Sequence, residues 1–372
     1  MQYQNFIFAG GGTGGHLFPA IAIADELKKR MPDARILFVG TKDKIEASVV
    51  PQCGYEFASI WISGFRRKQL LSNILFPVKV CVAVMQSLSI VRKYKPAVII
   101  GTGGYVAGPV VFAGSLLGIP SVIQDQNSIP GITTRLLGKR ANEVHLTFDA
   151  ARKYLHRSDN IFMSGNPTRG KLETHDMKGA AEYFGFDPAD KRRTVLVFGG
   201  SLGANSINTG MRAIIESLIG NDIRVIWQTG KADFEQIKGG TASFPSESLC
   251  VRQFIDRMDF AYAISVLVVC RAGATTIAEL TRLGKPSILI PYPHAAANHQ
   301  VENAASLVTM GAARVVLDHE IKEKLLSGII DLIGDHEALT NMSRQSKLLG
   351  KPNAAGEIVE HILTLATRGK SS

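Results

Sequence analysis

Two glycine-rich segments follow short apolar runs in this chain, and both could bind an anion. The segment GGGTGGH occupies residues 10–16 after an apolar run at 5–9, and GGSLGA occupies residues 199–204 after a second run at 194–198. A glycine loop that opens a helix presents backbone N–H groups at the positive end of the helix dipole, which suits phosphate or sugar oxygens. The alternative is that these glycines only permit tight turns.

The best-known nucleotide motifs fit this chain poorly. Gly10, Gly12 and Gly15 match the GxGxxG spacing of dinucleotide-binding proteins, but the acidic residue expected at the end of the second strand is missing, because Val39 leads into Gly40. No GxxxxGK[ST] segment occurs in the sequence, which excludes a Walker-type nucleotidase. NAD binding is therefore disfavoured, whereas binding of a phosphate or a sugar remains open.

A third segment, CRAGATTIAE at residues 270–279, follows another buried strand. Thr275 and Thr276 can cap a helix N-terminus beside a phosphate, and Glu279 lies one turn further, where its carboxylate could accept two ribose hydroxyls. The alternative for Glu279 is a first-turn acid favoured only by the helix dipole. His294 and His299 lack companion metal ligands, and no DxD pair is present to hold a divalent ion, so no metal and no cofactor are predicted.

The order strand, glycine loop, helix, strand occurs twice, at residues 5–39 and 194–228. This pattern predicts an α/β chain of two Rossmann-like doubly wound domains that face a cleft. The expected domains are an N-terminal one at 1–163, a C-terminal one at 164–350, and a final helix at 351–372. Four separated cysteines argue against a disulfide framework, and the N-terminus does not resemble a signal peptide.

The positive charge is concentrated in the first half of the chain. Residues 1–163 hold 19 Lys+Arg and 10 Asp+Glu, whereas residues 164–372 hold 23 and 22, and no acid occurs between Glu56 and Asp125. This interval includes an apolar stretch at 70–84 flanked by basic residues, which is typical of docking to an anionic membrane surface. A core helix between solvated ends is the alternative. The predicted docking residues are Arg66, Arg67, Lys68, Ile74, Leu75, Phe76 and Lys79.

Eight segments together resemble one family, the MurG family of bacterial UDP-GlcNAc:lipid I N-acetylglucosaminyltransferases, over essentially the whole chain. They are GGTGGHLFPA (11–20), GTGGYVAGP (101–109), QDQNSIPG (124–131), SGNPTR (164–169), FGGSLGA (198–204), QFIDRM (253–258), CRAGATTIAE (270–279) and NHQVENA (298–304). The resemblance implies the GT-B glycosyltransferase fold, with the final helix packed back on the N-terminal domain. The sequence departs from the family pattern at Asp125, where many relatives have Glu, and at His299, where some have Gln.

The resemblance also implies which residues form the site. On the donor side, Ser201 and Arg169 would hold the diphosphate, the Ile255 backbone would contact uracil, Glu279 the ribose, and Gln300 with Asn127 the GlcNAc. The remaining donor residues would be Ala274, Thr275, Thr276, Ile277 and Ala278 beneath the α-phosphate, with Thr13, Gly14 and Gly15 from the first loop. Gly104 and Tyr105 would line the acceptor side.

The implied reaction is an inverting transfer of GlcNAc from UDP-GlcNAc to the 4-hydroxyl of MurNAc in lipid I, the undecaprenyl-diphospho-MurNAc-pentapeptide, to give lipid II. His16 is the first candidate for the general base because histidine titrates near neutral pH, and Asp125 is the second.

The implied location is peripheral, on an anionic phospholipid surface at the cytoplasmic face of the inner membrane, with cell-wall and division proteins as further partners. Alternatives are another GT-B transferase, a UDP-GlcNAc 2-epimerase, and a nucleic-acid-binding or membrane-binding module, but aliphatic rather than aromatic residues between the basic ones disfavour nucleic acid.

Overall fold

The computed structural model describes residues 4–64, 75–168, 170, 172–200, 202–295 and 298–368. The chain forms two compact units, one of Met1–Arg169 with Lys351–Ser372 and one of Gly170–Gly350. Each unit is built around one parallel sheet. The docking candidates Arg66, Arg67, Lys68 and Ile74, and the donor candidates Arg169 and Ser201, lie outside the described residues.

The first unit contains a seven-stranded sheet in the order β3-β2-β1-β4-β5-β6-β7, with every pair parallel. Its strands are nearly continuous apolar runs, as expected for a sheet covered on both faces. The strands are β1 (Asn5–Gly10), β2 (Arg35–Gly40), β3 (Glu56–Ser59), β4 (Val98–Gly103), β5 (Ser121–Asp125), β6 (Glu143–Leu146) and β7 (Ile161–Phe162).

Helices cover both faces of this sheet, and the last helix of the chain belongs to this unit. The helices are α1 (Gly14–Arg30), α2 (Glu46–Gln52), α3 (Phe76–Tyr94), α4 (Gly104–Leu116), α5 (Ile132–Leu137) and α14 (Ala354–Arg368), with a 3₁₀ helix at Asp149–Tyr154. Ile358, Val359 and Ile362 of α14 are fully buried in the same core cluster as Leu17 and Ile21 of α1. The expected return of the final helix to the first unit is therefore confirmed.

The second unit repeats the plan with six parallel strands in the order β10-β9-β8-β11-β12-β13. Its strands are β8 (Arg193–Phe198), β9 (Ile223–Gln228), β10 (Leu249–Arg252), β11 (Ser265–Cys270), β12 (Ser287–Leu289) and β13 (Arg314–Val315). Its helices are α6 (Met177–Tyr183), α7 (Asn205–Gly220), α8 (Phe234–Gly240), α9 (Met258–Ile264), α10 (Ala274–Leu283), α11 (His299–Thr309), α12 (Ile321–Gly334) and α13 (His336–Leu349), with a 3₁₀ helix at Asp318–Glu320.

The strand order reverses direction at one point in each sheet, between β1 and β4 and between β8 and β11. Parallel α/β sheets bind ligands in the crevice outside the carboxyl ends of the strands at such a point. The glycine loop at residues 10–16 follows β1, and the loop at 199–204 follows β8. Both predicted loops therefore lie where the fold favours a binding site.

The first helix begins earlier than expected. The pattern predicts a first helix from about Phe18, but α1 begins at Gly14, because the turn of the glycine loop is already completed at Gly12, whose φ is +84°. In the apolar stretch at 70–84, α3 begins at Phe76 with Pro77 in its first turn, where a missing N–H costs nothing. Across the described part of the chain, no helix combines the length and the apolar character needed to cross a bilayer.

Candidate functional site

A buried carboxylate holds the glycine loop after β1 in place. One oxygen of Glu46 accepts from the Gly12 N–H at 3.0 Å, and the other accepts from the N–H and the hydroxyl of Thr41 at 3.1 and 3.0 Å. Glu46 is 1% exposed. Sequence reasoning missed this residue, because nothing in the sequence connects an acid at the start of a short helix to a loop 34 residues earlier.

A second glycine pair, after β4, packs closely against the first loop. Gly103 and Gly104 have φ values of +101° and +76°, a conformation that favours glycine. A Cβ at position 103 would lie 2.6 Å from Nδ1 of His16, and one at position 104 would lie 2.5 Å from the Gly11 carbonyl oxygen. The Tyr105 ring lies against Gly12, and burial raises the pKa of its hydroxyl. The structure thus brings together His16, Gly104 and Tyr105, three of the predicted site residues.

The side chain of Gln126 determines how His16 is oriented. Nε2 of Gln126 donates to the Thr102 carbonyl oxygen at 2.7 Å, so its Oε1 is the atom that faces Nδ1 of His16 at 2.8 Å. An amide oxygen can only accept, so Nδ1 of His16 carries the proton in the neutral ring. The lone pair of His16 is consequently on Nε2, the atom that a general base would use.

Asp125, the second candidate base, has a different environment. Asp125 is 4% exposed. Its carboxylate accepts from the N–H groups of Asn127 and Gly131 at 3.1 and 3.0 Å and from the Thr134 hydroxyl. These bonds organise the turn between β5 and α5. Both candidates lie at the carboxyl edge of the first sheet, but these hydrogen bonds favour His16 as the base and Asp125 as the residue that shapes the loop carrying Asn127.

In the second unit, the glycine loop after β8 is held by close backbone contacts. A Cβ at Gly203 would lie 2.1 Å from the Thr229 carbonyl oxygen, and the φ of Gly203 is +81°. At Gly200, whose φ is +94°, a Cβ would meet no atom of the described residues within 4 Å. The loop is therefore fixed on the side of Gly203 and open at Gly200, where a ligand could approach the backbone.

Gln228, at the end of β9, connects this loop to Ile255. Its Oε1 accepts from the Ile255 N–H at 2.8 Å, and its Nε2 donates to the Gly200 carbonyl oxygen at 3.0 Å. Gln228 and Ile255 are 4% and 2% exposed. Since the N–H of Ile255 already donates to Gln228, the carbonyl oxygen of Ile255 is the backbone group that a ligand would contact. Sequence reasoning missed Gln228.

The N-terminus of α10 has the features of an anion site. Gly273 is the N-cap in extended backbone, and the first turn, which includes Ala274, Thr276, Ile277 and Ala278, carries no acidic residue. The hydroxyl of Thr275 is buried and has no hydrogen-bond partner among the described residues. A buried polar atom without a partner is costly, so this hydroxyl and the N–H groups at the start of the helix, before the Ile277 N–H that donates to the Gly273 carbonyl oxygen, suit a phosphate oxygen.

Glu279 follows in the next turn of α10, beside the fully buried Tyr262. The Tyr262 hydroxyl donates to Oε2 of Glu279 at 2.8 Å. Part of the Glu279 residue is exposed, but its carboxyl group lies deep enough that burial raises its pKa to about 7, an effect that the Tyr262 hydrogen bond and the charge of Arg282 only partly offset. The free carboxyl therefore titrates near neutral pH, and hydroxyl donors would favour its ionised form.

Gln300 is in the first turn of α11, after the polar segment that follows β12. Its Oε1 accepts from the Tyr292 N–H at 2.9 Å. Arg271, at the end of β11, donates to the Ser206 hydroxyl at 2.7 Å and pairs with Asp318. Arg271 also donates to the carbonyl oxygens of Ile290 and Pro291, which follow β12, so the ends of β11 and β12 are joined to each other and, through Ser206, to α7.

Comparisons with known proteins agree with this architecture. The glycosyltransferase family 28 N-terminal domain matches residues 6–146, and the C-terminal domain of that family matches residues 194–358. The chain is 40% identical to the UDP-N-acetylglucosamine--N-acetylmuramyl-(pentapeptide) pyrophosphoryl-undecaprenol N-acetylglucosamine transferase of Flavobacterium psychrophilum, over 100% of both chains. It is 43% identical to the enzyme of the same name from Chlorobaculum parvum, over 97% of this chain and 99% of that one. The chain belongs to the MurG family.

A solved structure supports the same assignment. The crystal structure of Acinetobacter baumannii MurG superposes with a TM-score of 0.78 at 26% identity and covers 97% of this chain and 99% of that one. The predictions of the MurG family and of the two-Rossmann GT-B fold are therefore confirmed. The individual site residues remain predictions, which the geometry above supports to different degrees.

Proposed function

We propose that this MurG-family chain transfers GlcNAc from UDP-GlcNAc to the 4-hydroxyl of MurNAc in lipid I, and so forms lipid II in peptidoglycan synthesis. The observation that carries the proposal is the full-length identity to curated transferases of that name. The carboxyl edges of the two sheets would supply the groups that this reaction requires. These are an anion site beside a carboxylate for the ribose in the second unit and an oriented histidine in the first.

The second unit would bind UDP-GlcNAc. The N–H groups at the start of α10, the Thr275 hydroxyl and the backbone near Gly200 would hold the diphosphate, together with Ser201 and Arg169. Glu279 would accept the ribose hydroxyls and the Ile255 carbonyl oxygen a uracil N–H. Gln300 would contact the sugar, with Asn127, Thr13, Gly14 and Gly15 as further donor residues.

The first unit would supply the base. Nε2 of His16 takes the proton of the MurNAc 4-hydroxyl as its oxygen bonds to the anomeric carbon of GlcNAc. The bond from that carbon to the UDP oxygen breaks, its electron pair leaves with UDP, and the configuration changes from α to β. The growing charge on UDP is stabilised by backbone N–H groups already oriented at the start of α10, an arrangement that needs no reorganisation during the reaction.

A UDP-release assay tests the proposed function. Purified protein with UDP-GlcNAc should release UDP only when a lipid I analogue is present, and release should persist in EDTA, because no step requires a metal. Turnover without an acceptor would indicate an epimerase instead. Release with unrelated acceptors but not with the lipid I analogue would indicate another transferase.

An exposed apolar stripe on α3 supports the proposed contact with a membrane. Leu75, Val78 and Met85 are 55%, 51% and 60% exposed, and their spacing places them on one face of the helix. Lys79 donates to the Ser63 hydroxyl at 3.1 Å and lies 5.6 Å from the centre of the half-exposed Trp61 ring. We propose that this stripe and Lys79 dock on anionic phospholipid, which would place the enzyme peripherally on the cytoplasmic face of the inner membrane, where cell-wall and division proteins could meet it.

Charges placed on this stripe should weaken docking. For the double variant Leu75→Glu/Val78→Glu, we expect binding to phosphatidylglycerol vesicles to weaken at least tenfold, since two apolar side chains of about 1.5–3 kcal/mol each no longer enter the lipid. Vesicle co-sedimentation measures this effect. Leu348→Glu, at a residue of the second unit that is 74% exposed, is the matched control. Transfer to a water-soluble lipid I analogue should not change, and unchanged vesicle binding by the double variant would contradict the assignment.

A further inference from the structure

Three side chains that could ligate a metal ion meet in the first unit, Glu143 and His145 on β6 and His361 on α14. Oε2 of Glu143 lies 3.2 Å from Nε2 of His145 and 2.9 Å from Nδ1 of His361. All three potential ligand atoms lie within 4.8 Å of one another. One carboxylate and two imidazoles are a common ligand set for Zn²⁺, and these distances are close to those between ligands that share one zinc ion.

Neighbouring side chains fix the orientation of both imidazoles. Nδ1 of the completely buried His145 is 2.7 Å from the Ser164 hydroxyl. The Phe162 ring stacks on His145 at 5.4 Å between ring centres and lies 4.4 Å from the His361 ring. Metal-bound histidines usually have such a partner on the second ring nitrogen. The side chain of His361 is 33% exposed, which leaves a path for an ion from solvent.

We propose that Glu143, His145 and His361 form a Zn²⁺ site, with water as the fourth ligand. The ion would bind Oε2 of Glu143, Nε2 of His145 and Nδ1 of His361 in place of the two hydrogen bonds that join these atoms. The proton of each imidazole would move to its other nitrogen. On His145 that nitrogen lies 2.7 Å from the Ser164 hydroxyl oxygen, which can accept a hydrogen bond from it.

The charges around the group favour a divalent cation. Glu143 contributes a carboxylate oxygen that lies within hydrogen-bond distance of both imidazoles. Glu357, one turn before His361 on α14, adds a second negative charge near His145. A bound ion would join α14 to β6 and stabilise the C-terminal helix on the first unit.

Zinc titration of the full-length protein tests the site. After treatment with EDTA, the protein should bind one Zn²⁺ tightly, with a rise in melting temperature, and Co²⁺ should give the absorption bands of a tetrahedral complex. His361→Ala and Glu143→Gln should each weaken Zn²⁺ binding by at least the 10- to 100-fold that loss of a supporting partner costs. His361→Cys, which retains a zinc ligand, should restore binding. His156→Ala, an exposed histidine of the same unit, is the control and should bind as the unaltered protein does.

Two results would overturn the site. One is Zn²⁺ affinity that is the same in the unaltered protein and in the folded variants His361→Ala and Glu143→Gln. The other is a Co²⁺ spectrum of six-coordinate type. UDP release by the zinc-free protein is a separate measurement, so a failure of the zinc site and a failure of the proposed transfer reaction can be distinguished.

Discussion

Replacement of His16 by alanine should lower kcat for GlcNAc transfer about 10²- to 10⁴-fold, the range that general-base catalysis contributes in enzymes. The donor KM should change little, because the assigned role of the His16 ring is to receive a proton rather than to hold UDP. Steady-state kinetics with a lipid I analogue at saturating UDP-GlcNAc measure this change. A kcat within fivefold of the unaltered enzyme would mean that another group takes the proton.

Gln126 allows a sharper test of the same assignment. Gln126→Leu removes the acceptor that keeps the proton on Nδ1 of His16, so both ring tautomers become available and kcat should fall, though less than in His16→Ala. In the His16→Ala background the same substitution should have no further effect on kcat. Equal multiplicative losses in both backgrounds would show that Gln126 acts only on the general structure of the loop.

Asp125→Asn is the comparison for the rival base. This substitution leaves one oxygen to accept from the loop but replaces the other by an amide that cannot. We expect a lower melting temperature together with a smaller loss of kcat than in His16→Ala. The opposite order of kcat losses, with a stable Asp125→Asn protein, would assign the base to Asp125.

The carboxyl edges of the two sheets can be predicted as the place of the candidate site, because local sequence signals mark them. A glycine loop after a buried apolar strand predicts both the fold class and the edge of the sheet at which ligands bind, and both switch points carry such a loop. The segment that holds Thr275 and Glu279 was likewise expected to open a helix after a buried strand, but the N-cap of α10 is Gly273 and neither Thr275 nor Thr276 caps it.

The groups that orient the site residues could not be predicted. Gln126 meets His16 across 110 residues, Glu46 meets Gly12 across 34, and Gln228 meets Ile255 across 27. Each pairing depends on which strands become neighbours in the sheet, and a single sequence does not encode that order locally. Asp125 organises the turn after β5 by accepting hydrogen bonds from groups of that same turn, and residue propensities alone do not show that these bonds form.

Glu279→Gln should separate donor binding from stability. An amide retains a hydrogen-bond acceptor for Tyr262 but loses the charge, and hydrogen bonds to a charged group contribute about 1.5–3 kcal/mol, so UDP-GlcNAc should bind about 10- to 100-fold more weakly. Isothermal titration with UDP and the donor KM both measure this loss. Glu323→Gln, an exposed carboxylate on α12, is the matched control. Unchanged donor binding would remove Glu279 from the ribose site.

The pH dependence of the same variant gives a second, independent readout. In the free enzyme the pKa of Glu279 is about 7, and ribose hydroxyls that donate to the carboxylate would lower it, so donor affinity should rise with pH through about 7 and then level off. Glu279→Gln should lack this rise.

For folding, a pKa raised above the unfolded value of 4.5 means that the contribution of this carboxyl to stability is fully present below about pH 4.5 and is lost as the pH rises through 7. The unaltered protein therefore contains a buried ionised carboxylate at pH 8 that the variant lacks. We expect Glu279→Gln to melt at a higher temperature than the unaltered protein at pH 8 and to lose this advantage toward pH 5, so that a residue which binds the donor does so at a cost to the stability of the fold.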